Sequence, residues 1–155
     1  MKIQPTVTQI NSVFQKHNSW NPQYERMMRW YEKLLDLDFA NTPEEEVEDL
    51  IIVCFQNIYY MKDWVMDAVE KTPHKKEVKN IFNEAFKSGN DVYLSFIRDL
   101  CNASKHKKLY SNRNQEVWID SSDDLYVIRT KKVELPVLVV ARYGVEWWRT
   151  LTGII

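Results

Sequence analysis

The feature that most constrains this 155-residue chain is a long apolar stripe in its first half. Val47, Leu50, Ile51, Cys54, Ile58, Met61, Val65 and Ala68 recur at three- and four-residue spacing, and Phe55, Tyr59 and Trp64 widen the stripe. Such a repeat keeps one side of an α-helix apolar. A helix this long and this apolar is expected to run through the centre of a bundle. Its start is marked by Thr42-Pro43-Glu44-Glu45. Thr42 is the expected cap, Pro43 suits the first helical position, and Glu45 completes a capping box. The acidic first turn also complements the helix dipole. Lys71-Thr72-Pro73 ends the segment.

Other helices are expected around it. Val7, Ile10, Val13 and Phe14 predict a short one, with Thr8 as its cap. Asn21-Pro22 opens a second, with Tyr24, Met27, Met28, Tyr31, Leu34 and Leu35 on its stripe. His74 to Phe86 follows the long helix, with Val78, Ile81, Phe82, Ala85 and Phe86 inward, and Ser88-Gly89-Asn90 stops it. Asp91 to about Lys107 comes next, with Tyr93, Phe96, Ile97, Leu100, Cys101 and Ser104 inward. The pattern then changes. Val117 to Ile119, Leu125 to Ile128 and Val133 to Val140 are β-branched and aromatic runs that read as antiparallel strands, with Pro136 at an edge or bulge. Arg142 to Leu151 reads as a short closing helix.

The expected fold is therefore mainly α. It has a bundle of four to five helices, a small C-terminal antiparallel hairpin or sheet, and a closing helix. Residues 1–155 are expected to form one domain, with 1–110 as the bundle and 111–155 as a strand-rich appendage. Only 3 glycines argue against a phosphate-cradling loop. No segment is apolar for long enough to span a bilayer, and none reads as a secretory signal, so a cytoplasmic location without a membrane partner is expected. Cys54 and Cys101 read as reduced core thiols. The three histidines show no metal-ligand spacing, so neither metal nor cofactor is expected.

Charge is unevenly distributed. Asp36 to Glu70 holds ten acids and one base, a net of −9, whereas Lys71 to Arg113 holds ten bases and four acids, a net of +6. Adjacent helices can neutralise one another, or the basic segment can present a face to phosphates. Within it, Arg98, Asn102 and Lys105 share one helical face, overlapped by that of Asp99, Asn102 and His106. Arg and Lys can hold an anion while His moves a proton near neutral pH. The same residues fit a structural role, with Asn102 bonding backbone, His106 capping a helix end and Lys105 extending to solvent. A second cluster is Gln56, Tyr60 and Asp63 on the long helix, with Lys62 beside it. A buried mid-helix carboxylate needs a partner, so Asp63 is expected near Lys105, His106 or Asn102.

Two phrases, Phe55-Gln56-Asn57-Ile58-Tyr59-Tyr60-Met61-Lys62-Asp63-Trp64 and Asn102-Ala103-Ser104-Lys105-His106-Lys107-Lys108-Leu109, resemble signatures of a bacterial group similar to the HEPN superfamily (higher eukaryotes and prokaryotes nucleotide-binding domain). The resemblance spans roughly Tyr24 to Leu109 and extends to the strand-rich tail. It implies a compact helical bundle, usually a homodimer, from toxin–antitoxin, phage-defence or RNA-processing systems, with RNA or a cognate protein as partner. Excess large aromatics, including Trp20, Trp30, Trp147 and Trp148, also point to pairing. Active members are metal-independent ribonucleases. That reading makes His106 the acid/base, has Arg98 and Lys105 stabilise the phosphorane, and lets Asp63 or Asp99 orient His106, with Asn102, Tyr60, Lys107 and Lys108 nearby. The ribonuclease motif has fewer residues between its Arg and His than the seven between Arg98 and His106, and Tyr60 replaces a His of the group signature. A non-catalytic binding module is the expectation, and a ribonuclease is the alternative.

Overall fold

A computed structural model describes residues 7–87, 89–105, 117–122 and 125–154. Among the described residues, six helices and a three-stranded sheet follow one another as α1 (Val7–Lys16), α2 (Asn21–Leu35), α3 (Glu44–Ala68), α4 (Lys75–Ala85), α5 (Val92–Lys105), β1 (Trp118–Ser122), β2 (Leu125–Arg129), β3 (Glu134–Pro136) and α6 (Val137–Thr152). A single 3₁₀ turn, Phe39–Asn41, joins α2 to α3. The chain is thus mainly helical, with a small antiparallel sheet and a closing helix.

α3 is the axis of the bundle. Val47, Ile51, Cys54, Phe55, Ile58, Met61 and Val65 have no solvent exposure. The stripe read from the sequence is therefore the core, except that Trp64 lies outside it, 37% exposed. Leu35 of α2 is also exposed. The buried residues of α2 are Gln23, Met27 and Leu34.

Three expected caps differ from those formed, the first being Thr8, which lies inside α1 just after its start at Val7. The hydroxyl of Thr42 donates to the carbonyl of Asp38 at 2.6 Å, so Pro43 occupies the cap position of α3 with no side-chain cap. The start of α3 thus relies on Glu44, Glu45 and Glu46 beside the positive end of the dipole. Trp20, rather than Asn21, is the residue before α2, and its indole N–H donates to Phe14 O at 3.0 Å. By contrast, Asp91 caps α5 with Oδ1, accepting from the backbone N–H groups of Tyr93 and Leu94. Gly89 stops the preceding turn at φ 88°, a conformation open to glycine.

The largest departure is at the C-terminal end. Val133 to Val140 does not form a strand throughout. Only Glu134–Pro136 pairs as the edge strand β3, and α6 begins at Val137. Val137, Val140, Ala141, Gly144, Val145 and Trp148 are buried. That spacing is helical, and burial along it overrides the β preference of the valines. α6 packs into the helical core. Trp148 is wholly buried, and its indole N–H donates to Ile58 O of α3 at 2.8 Å. Phe82, Phe86 and Trp147 surround it, with ring centroids 5.4, 6.4 and 4.8 Å away. Trp20 is buried too, so much of the aromatic surplus read as a pairing surface packs inside the chain.

Gly144 lets α6 approach its neighbours. A Cβ there would stand 2.6 Å from Ile97 Cδ1 of α5 and 2.8 Å from Ile58 Cγ2 of α3. The sheet has the order β1-β2-β3, with all pairs antiparallel. Arg129 of the central strand pairs with Asp120 of β1 at 3.2 Å and with Glu134 of β3, linking the three strands. Ile119, Tyr126 and Ile128 carry the sheet onto the helical core.

Candidate functional site

The polar cluster of α5 splits according to burial. Arg98 is partly buried and held from several sides. Its Nε and Nη2 donate to Asp99 Oδ1 at 2.9 and 2.8 Å, and Nη1 donates to the carbonyl of Phe86. Phe86 ends α4, so Arg98 ties that helix end to α5 and satisfies an otherwise orphaned carbonyl. Asn102 is exposed. His106, Lys107 and Lys108 lie outside the described residues, as does the side chain of Lys105.

Gln56 of the long helix bonds α5, and two of the three partners expected for Asp63, the side chains of Lys105 and His106, lie outside the described residues. Gln56 Nε2 donates to Ser104 Oγ at 3.3 Å, and Ser104 donates to Cys101 O at 2.7 Å. Ile58 of α3 and Ile97 of α5 both face Gly144 of α6. Asp63, farther along α3 than Gln56, sits about 10 Å from the level of Ser104. It is also exposed, as is Tyr60. The desolvation argument for an Asp63 partner does not apply to a carboxylate in water.

A polar network that the sequence reading missed lies between α2 and α3. Gln23 is 1% exposed. Its Nε2 donates to Asn57 O at 3.0 Å and Asn57 Oδ1 at 3.1 Å, and its Oε1 accepts from Arg26 at 2.8 Å. Asn57 Nδ2 donates to Val53 O at 2.8 Å. The only signal in the sequence is phase. Gln23 stands four residues before Met27, on the buried side of α2. Arg26 also lies over Trp64, 5.9 Å from the ring centroid.

Two further features involve carboxylates. A groove of ≈ 630 Å³ at the start of α3 is lined by Pro43, Glu44, Glu45, Glu48 and Asp49. Desolvation, then repulsion from Glu44, Asp49 and Glu45, pushes the Glu48 carboxyl up to about 7. On the other side, Tyr143 of α6 donates to Asp91 Oδ2 and stacks on Tyr93 at 4.5 Å. The bond to Asp91, followed by burial, pushes the Tyr143 phenol up to about 12. Burial pushes the Cys54 thiol up to about 12 as well, which leaves it protonated and inert at neutral pH.

Among the described residues, no group of three or more His, Cys, Asp or Glu is arranged to hold a metal ion. Nor is any described helix long and apolar enough to cross a membrane. No protein family, curated protein or solved structure matches the chain.

Proposed function

We propose that this chain is a HEPN-like association module of a bacterial defence or mobile-element system that binds RNA, or a cognate protein, without catalysis. The observation that supports this reading is the placement of Arg98. A catalytic arginine must be free to meet a developing phosphorane charge. Here the guanidinium bonds Asp99 and the end of α4, which suits a structural tie. Asp63, two helical turns from the level of Ser104, gives no support to a carboxylate–imidazole pair.

The test is incubation of the purified chain with labelled RNA in the presence of a chelator. The expected result is intact RNA, together with an Arg98→Ala variant that melts at a lower temperature. Metal-independent cleavage that disappears in His106→Ala would instead establish the ribonuclease. The homodimer implied by the resemblance belongs to the same proposal. Light scattering should then report twice the chain mass at micromolar concentration.

A further inference from the structure

We draw no further inference here: the strongest candidate, the exposed apolar patch of Leu138, Val139 and Tyr143 on the outer face of α6 with Val92 at the start of α5, carries none because nothing in the structure shows what covers it.

Discussion

α3 and α6 cross in the middle of the molecule, and both carry runs of β-branched residues. In α3 the run is Ile51-Ile52-Val53, and in α6 it is Val137 to Val140, broken only by Leu138. The first lies inside a long helical repeat and reads as helix without ambiguity. The second follows Pro136 at the end of an edge strand and reads as more strand. Both are helical. The helix preference that valine lacks amounts to a few tenths of a kcal/mol per residue. Burying a side chain such as Val140 or Val145 contributes about 1.5–3 kcal/mol. Position relative to the core, more than residue type, settles the structure of both segments.

The crossing itself offers the strongest ways to break this comparison. Trp148→Ala should destabilise the fold by about 3–5 kcal/mol, because it empties the aromatic cluster and leaves Ile58 O without its donor. A thermal melt close to wild type would show that α6 is peripheral after all. Ile58→Ala on the α3 side should cost about 2–5 kcal/mol in urea unfolding. Unchanged stability there would mean that the inner face of α3 has been misassigned. Gly144→Ala adds a methyl group against Ile58 and Ile97 and should cost about 1–3 kcal/mol, despite the better helix propensity of alanine. A more stable variant would mean that the two helices separate easily.

The two helix starts sharpen the contrast further. Asp91→Ala removes the cap of α5 and the acceptor for Tyr143, and should cost about 0.5–2 kcal/mol. Faster amide exchange in the first turn of α5 is the accompanying sign. The smallest effect is expected at Glu48. Its carboxyl is raised in the folded chain, so the protonated form is favoured there. The associated stability is present below about 4.5 and is lost as pH rises through about 7. Glu48→Gln should therefore match wild type in acid. It should gain on wild type as pH rises through that window, reaching about 0.5 kcal/mol after solvent screening. A gain that is the same at every pH would exclude charge repulsion as its cause.

The candidate site was less legible than the fold. Spacing correctly placed Arg98 and Asn102 on one helix and Gln56 and Asp63 on another. It could not say that Arg98 would turn to Phe86 O, that Asn102 and Asp63 would face water, or that Gln56 would meet Ser104. The buried Gln23–Asn57 pair was invisible for the same reason. A polar residue in phase with an apolar stripe is assigned to solvent unless its partner on another helix is known.

The sequence by itself determined where helices run, where they break and which side of α3 is apolar. Those properties come from residues within a turn or two of each other, so spacing and capping chemistry encode them directly. Only the tertiary structure decided that α6 begins at Val137, that α3 and α5 meet at Gln56 and Ser104, and that Gln23 is buried. The deciding bonds join residues 34, 48 and 90 positions apart, in Gln23–Asn57, Gln56–Ser104 and Trp148–Ile58. Such contacts depend on how whole helices pack, and no local pattern in the chain specifies that register.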